Sequence, residues 1–216
     1  MLHKIIIFLI IPFIGFAQHD QKALDILRKV SATNESYSSL QIDFNYTLTN
    51  KSANVNDSRN GSLALMGDKF HLVLMGKDIF SDGKIIWDVM KEDQEVQIMS
   101  MNEFSENMDF NPTNIFRQYE KGYKSKYVGE KTVGGKTIVE IDLFPEIPGK
   151  KSYSRIRLAI DKKTSHIVSS STFGKDGTDY QLEITKMVTN AALNSKLFVF
   201  NAATFENDGY DIEDFR

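Results

Sequence analysis

The sequence predicts a mainly β protein with some helix, in which a single curled antiparallel sheet forms an unclosed β-barrel or half-barrel capped by an N-terminal helix and short lid helices. Apolar and polar residues alternate with a period of two along most of the chain. Hairpin-length turn signals divide these segments into about ten short strands, and few helix-length segments lie between them. A sheet of this length with one apolar face has to curl, which favours an open barrel.

The first residues are typical of a cleaved signal peptide. Lys4 precedes an apolar run that closes at Ala17, and this run is shorter than the roughly 20 residues that a spanning helix needs. We therefore expect residues 1–17 to be removed after Ala17, with a membrane anchor as the alternative, and residues 18–216 to form a single domain. Because Gln18 rather than cysteine follows, the exported chain would carry no lipid anchor of its own.

The N-terminal helix and the first strand follow from a change in spacing. Residues 20–31 place apolar side chains three or four positions apart from Ala23 to Val30, which predicts a helix. From Leu40 to Leu48 the apolar residues alternate with polar ones, which predicts a half-buried strand.

The same alternation recurs after a polar loop predicted at residues 50–61, between turns such as Ser81-Asp82-Gly83-Lys84. Because most connections are short, the strands should form an antiparallel meander. The later strands are predicted around Leu63 and Leu65; Phe70, Leu72 and Leu74; Ile85, Trp87 and Val89; Val96 and Ile98; residues 123–132; Val139, Ile141 and Leu143; Ile156, Leu158 and Ile160; residues 167–173; and Tyr180, Leu182 and Ile184.

Residues 99–120 interrupt the strand pattern. Apolar and polar residues mix there without a period of two, and Asn111-Pro112 is a helix-start signal. We predict one or two short amphipathic helices that lie against the apolar face of the sheet. Five of the eight methionines lie between Met75 and Met108. They are either ordinary core filler or an adaptable lining for a flexible apolar ligand.

The sequence offers no candidate catalytic residue, metal ligand or cofactor site. The chain has no cysteine, and none of its four histidines has a partner at metal-ligand spacing. The acidic tail at residues 206–214 lacks the spacing of a calcium loop and predicts a solvated, turn-rich end. The formal net charge of −3 is mild and argues against nucleic-acid binding. We therefore expect a protein that is not an enzyme and needs no cofactor.

Several motifs together resemble the LolA family of periplasmic lipoprotein carriers, in the form found in Bacteroidetes. The matching features are Gly61-Ser62-Leu63 with the residues up to Leu72, Ser81-Asp82-Gly83-Lys84 with Trp87 after it, Asn111-Pro112, Ile160-Asp161-Lys162-Lys163-Thr164, Phe198-Val199-Phe200-Asn201 and the last six residues. One feature departs from the family. Proteobacterial members have an arginine in the hairpin after the Gly-x-Leu strand, where this chain has Met66-Gly67-Asp68-Lys69.

The resemblance implies a monomeric periplasmic carrier that binds acylated lipoproteins in a hydrophobic cavity. It would receive them from an inner-membrane lipoprotein-releasing transporter and pass them to an outer-membrane acceptor. Two other functions stay open: a same-fold binder or sensor of another lipid, and a secreted hydrolase. Alternation gives the period of a strand but not which face points inward. The candidate cavity residues are Phe44, Tyr46, Leu63, Leu65, Phe70, Leu72, Leu74, Trp87, Val89, Met99, Met101, Phe104 and Phe116.

Overall fold

The fold is described from a computed structural model, which describes residues 20–107 and 122–216, without the side chains of residues 105–107. The predicted leader, the Asn111-Pro112 helix start and Phe116 lie outside this part of the chain. Within it, no helix has the length and apolar character needed to cross a membrane. The α-helices are α1 (Gln21–Glu35), α2 (Met101–Asn107) and α3 (Ala202–Asn207).

In the described residues, twelve strands form one sheet that does not close, because the strands at its two ends, β12 and β7, are not paired with each other. In space they follow the order β12-β6-β5-β4-β3-β2-β1-β11-β10-β9-β8-β7. The strands are β1 (Leu40–Asn50), β2 (Val55–Met66), β3 (Lys69–Leu74), β4 (Lys77–Ser81), β5 (Ile85–Met90), β6 (Glu95–Ser100), β7 (Tyr123–Val133), β8 (Lys136–Pro145), β9 (Tyr153–Asp161), β10 (His166–Gly174), β11 (Thr178–Thr189) and β12 (Asp211–Asp214). The predicted class, a mainly β open sheet with an N-terminal helix, is confirmed.

Helix α1 is fixed to the sheet at its first residue. The Asp20 side chain caps the helix, since its Oδ1 accepts hydrogen bonds from the backbone N–H groups of Lys22 at 3.0 Å and Ala23 at 3.3 Å. Its Oδ2 accepts the N–H of Tyr127 on the edge strand β7 at 2.9 Å. The apolar stripe of α1, which includes the fully buried Leu27, packs on strands β8, β9 and β10.

The sheet has two faces with different coverings. We call the face on which α1 and α2 pack the inner face. Cross-strand partners share a face, so the row Tyr46, Leu182, Ser170, Leu158 and Ile141 runs across the inner face from β1 to β8. This row joins the cluster under α1 to a second apolar cluster on strands β1 to β5.

The opposite, outer face is covered at one end by the last part of the chain. A 3-10 helix at Ser195–Phe198, then α3 and β12, bring Phe200, Phe205, Tyr210 and Ile212 against Val96. Strand β12 pairs with β6 in parallel, while the other pairings in the described sheet are antiparallel.

Three sequence predictions differ from the structure. The polar loop predicted at residues 50–61 is mostly strand, because β1 and β2 continue as a ladder to the pair Asn50 and Val55. Strand β4 was not predicted, since only Ile79 and Phe80 are apolar in it. The acidic tail is not simply solvated, because Ile212 packs on the outer face and brings the segment to the sheet edge as β12.

Candidate ligand-binding site

The inner face carries an extended apolar surface on strands β1 to β6 and β11. Its centre is buried, with Phe70 fully shielded and Leu72 2% exposed, and its border is half-buried. Ten of the thirteen predicted cavity residues belong to this cluster or pack on it. They are Phe44, Tyr46, Leu63, Leu65, Phe70, Leu72, Leu74, Met99, Met101 and Phe104.

Helix α2 covers part of this surface. Glu103 Oε2 accepts the N–H of Ser100 at 3.0 Å and its hydroxyl at 2.8 Å, and Ser100 Oγ accepts the N–H of Glu103 at 3.2 Å. This reciprocal capping box begins the helix directly at the end of β6, and the same hydrogen bonds lower the pKa of the Glu103 carboxyl. The helix then places the Phe104 ring 6.1 Å from the Phe70 ring. The hydrogen bonds between Ser100 and Glu103 therefore hold helix α2 over the apolar cluster that contains Phe70.

Gly61 makes room for an aromatic ring in that floor. It faces Phe44 across the β1–β2 ladder. A Cβ atom at position 61 would lie 2.5 Å from Phe44 Cζ and 2.9 Å from the backbone oxygen of Val73. The glycine of the Gly-x-Leu motif thus lets the Phe44 ring lie flat over the neighbouring strand, where it is 2% exposed.

Tyr46 lies near the middle of the inner face, next to the half-buried border of the cluster. Its ring stacks with Tyr180 of β11, with the centroids 6.2 Å apart. Burial, together with the neighbouring Tyr180, raises the pKa of the Tyr46 phenol to about 12. The hydroxyl is therefore neutral at physiological pH, and the ring presents an amphipathic surface.

The structure places the other three predicted residues elsewhere. Trp87 and Val89 lie on the outer face, in the cluster with Val96 and Phe200, and Phe116 lies outside the described residues. Alternation predicted β5 as a strand, but the inner-face residue of that strand is Ile86, one position away from Trp87. The inner-face apolar residues that sequence reasoning did not select are Tyr37, Leu40, Ile42, Ile79, Ile86, Leu182, Ile184 and Met187.

A charged pair lies beside the apolar cluster of the inner face. Asp88 of β5 lies opposite Ile79, which lies opposite Leu72, so the three share the face. Lys77 Nζ donates to Asp88 Oδ2 at 2.7 Å. Lys69, in the hairpin where related carriers have an arginine, is an exposed residue at the start of β3.

The described residues contain no cluster of metal-ligating side chains that would suggest a catalytic metal site. No group of three or more His, Asp and Glu side chains in them is arranged to hold a metal ion. The site offers a large apolar surface, a helix that covers part of it, and the Lys77–Asp88 ion pair on the same face. Such a surface suits a flexible apolar ligand with a polar end.

Three solved structures share the fold over nearly their whole length. A conserved protein from Thermus thermophilus has a TM-score of 0.56 at 10% identity, covering 91% of this chain and 99% of its own. The lipoprotein LppX of Mycobacterium tuberculosis has 0.51 at 16% identity, covering 81% and 98%. A domain classed with outer membrane lipoprotein-sorting proteins, from Vibrio parahaemolyticus, has 0.50 at 10% identity, covering 86% and 99%.

These distant structures show only the fold of the chain, whereas the comparison with protein-family models shows its family. A search of curated protein sequences finds no match. The model of the family described as outer membrane lipoprotein carrier protein LolA matches residues 35–201. This range runs from the end of α1 past the 3-10 helix at Ser195–Phe198 and includes all the inner-face strands. The chain belongs to the LolA family of outer membrane lipoprotein carrier proteins.

Proposed function

We propose that this protein is a periplasmic carrier that binds the acyl chains of lipoproteins on its inner face and shuttles lipoproteins from the inner to the outer membrane. The observation that carries the proposal is the inner face with its two apolar clusters, one of which is partly covered by α2 through Phe104. Family membership supports a binding role of this kind rather than catalysis. A lipoprotein-releasing transporter in the inner membrane and an acceptor in the outer membrane would be its partners.

The physical need for such a surface follows from the cost of exposing acyl chains to water. Each buried methylene contributes about 0.8 kcal/mol, so one long acyl chain contributes on the order of 10 kcal/mol. A lipoprotein crossing an aqueous compartment therefore needs an apolar shelter. Release also has to be possible, and displacing a helix that otherwise contacts the same surface offsets part of the binding free energy.

The half-buried border residues support binding at this face more than the buried centre does. Leu74, Met99, Met101, Ile184 and Met187 pack on the cluster but keep exposed area. Unbranched methionine side chains adjust to ligands of different shape. An acyl chain would cover this remaining apolar area, and displacing α2 would extend the surface to the buried centre.

The test is to identify what the protein carries. We would purify it from the periplasm of its host without detergent, extract it with organic solvent and analyse both the extract and the intact complex by mass spectrometry. The proposal expects acylated lipoproteins, at no more than about one per chain. A complex with a free lipid and no lipoprotein would support the same-fold lipid binder instead. Absence of any acyl ligand, together with no uptake of a purified lipoprotein, would contradict the proposal.

A further inference from the structure

The inner face contains a buried carboxylate oxygen that the described protein leaves without a donor. Asp88 is 6% exposed, and its Oδ2 accepts from Lys77. Its Oδ1 is buried and has no hydrogen-bond partner. An ionised oxygen in this condition is costly, because the water it has lost is not replaced by any donor.

The position of the pair relates it to the apolar surface. Asp88 continues the row formed by Leu72 and Ile79, and Ile86, two residues before it on the same strand, belongs to the apolar cluster. Neighbouring strands lie about 5 Å apart, so an acyl chain over Leu72 and Ile79 would end beside Asp88. The Lys77 side chain is 41% exposed, which places the pair where the inner face meets solvent.

The stability of the fold alone does not account for this charge. Replacing a buried ion pair with apolar residues often leaves the stability of a protein unchanged or raises it. Keeping a buried carboxylate with one unpaired oxygen lowers the stability. The described residues give Oδ1 no hydrogen-bond partner, and Asp88 shares its strand face with Ile79, where a ligand would lie. A donor supplied by the ligand would remove the cost.

We propose that Asp88, held by Lys77, is the polar end of the acyl-binding site and selects ligands whose head group carries an N–H donor. This inference rests on the proposed function, since it names the head-group chemistry recognised at the same face. Two sources carry such a donor: the N-acyl amide at the terminus of a lipopeptide, and the ammonium group of an aminophospholipid. A charge-assisted hydrogen bond to Asp88 Oδ1 is the shared interaction.

The test compares matched ligands by isothermal titration calorimetry on the full exported chain. One pair is N-dodecanoyl-glycylglycine amide and the same peptide with its acyl amide nitrogen methylated. The other pair is lysophosphatidylethanolamine and lysophosphatidylcholine, both with a twelve-carbon chain. Losing one hydrogen bond to a charged group predicts a preference of about tenfold or more for the N–H ligand in at least one pair.

The decisive variant is Asp88→Leu. In this variant the preference for the N–H ligand should disappear. The affinity for the methylated ligands should stay within about twofold of the native value, because these ligands do not donate to Asp88. The matched control is Asp78→Leu, which removes a carboxylate that Lys91 contacts at 2.6 Å on the outer face of the neighbouring strand. That variant should keep the preference. If Asp88→Leu does not fold, Asp88→Asn serves instead and should weaken the preference, since a neutral acceptor forms the weaker bond.

Each outcome has one meaning. An Asp88-dependent preference in the peptide pair identifies the N-acyl amide as the donor, and one in the phospholipid pair identifies the ammonium. No preference in either pair, or a preference that survives in Asp88→Leu, overturns the assignment of Asp88 while leaving acyl binding intact. If none of the four ligands binds saturably, the proposed function fails together with the inference.

Discussion

Tyr46 gives the most accessible test of the inner face at the scale of a single residue. It is half-buried on that face, whereas Thr47, its neighbour in β1, is half-buried on the outer face, where its hydroxyl lies 3.1 Å from that of Ser58. We expect Tyr46→Asp to weaken binding of a dodecanoyl peptide by at least about tenfold, because a carboxylate would be desolvated beneath the chain. Thr47→Asp is the matched control and should bind normally in the same titration; equal losses in both variants would contradict the assignment of faces.

Gly61 tests how closely the floor of the surface is packed. A Cβ atom there would meet the Phe44 ring and a backbone oxygen that has little freedom to move. We expect Gly61→Ala to lower the free energy of unfolding by about 1–3 kcal/mol, as overpacked core substitutions do. Urea unfolding measures this, with Gly129→Ala of β7 as the control, since nothing lies within 4 Å of its added Cβ. An unchanged unfolding midpoint in Gly61→Ala would show that the ring does not occupy this position.

His166 makes stability depend on pH. Its Nε2 lies 2.8 Å from the Tyr37 hydroxyl, and burial lowers the pKa of the imidazole below its ordinary value. The unfolded chain therefore takes up this proton first as the pH falls through about 6.5, and the native state loses stability until its own lower pKa is reached.

The corresponding measurement is urea unfolding at about pH 7.5 and about pH 5.5. We expect the native protein to be less stable at the lower pH and His166→Gln to show a smaller loss, because glutamine does not titrate. The same loss in both proteins would mean that other groups cause the pH dependence.

At the scale of elements, the C-terminal segment covers part of the outer face and not the inner face. The Phe200 ring stacks on Trp87 at 5.7 Å and on Phe205 at 5.0 Å, in both cases with an interplanar angle of 13°. Phe200→Ala should lower the free energy of unfolding by about 1–3 kcal/mol, less than for a fully buried phenylalanine.

Trp87 reports on the same substitution because it is the only tryptophan in the sequence. Its emission should shift to longer wavelength in Phe200→Ala as the ring gains contact with water, while dodecanoyl-peptide binding stays unchanged. Phe215→Ala, at an exposed position in the same segment, is the control. Loss of acyl binding in Phe200→Ala without unfolding would contradict the separation of the two faces.

Sequence reasoning predicted elements better than it predicted faces and edges. Period-two alternation locates β1, β3 and β5, because burial on one side of a sheet imposes that period. It does not show which face of a strand points inward. The prediction therefore places Leu72 and Trp87 together among the cavity residues, although they lie on opposite faces. Which face points inward depends on which residues pair across strands, and that is long-range information.

The C-terminal segment shows the same limit at a sheet edge. Its acidic residues predicted exposure to solvent, and all five acidic side chains from Glu206 to Asp214 are exposed. Its strand β12 forms because Ile212 pairs with Val96 of β6, a residue far away in the sequence. This pairing covers an edge of the sheet that would otherwise be open. Asp88 is a related case. In sequence it is one polar residue in an apolar strand, and only the register places it beside Ile79 on the inner face.

At the scale of the whole molecule, the two faces of the sheet differ in how they are covered. The outer face is covered at one end by the chain's own C-terminal segment, whereas the inner face, beneath α1 and α2, keeps a half-buried apolar border. This asymmetry is what the carrier hypothesis requires, since the ligand needs one apolar surface that protein does not fill.

The most direct test of that claim is methyl NMR on the isotopically labelled protein during titration with N-dodecanoyl-glycylglycine amide. Inner-face methyl groups of Leu72, Ile79 and Ile184 should show saturable shift changes, while Val96 and Ile212 of the outer face should not move. Absence of saturable changes on the inner face, or larger changes at Val96 and Ile212, would contradict the account.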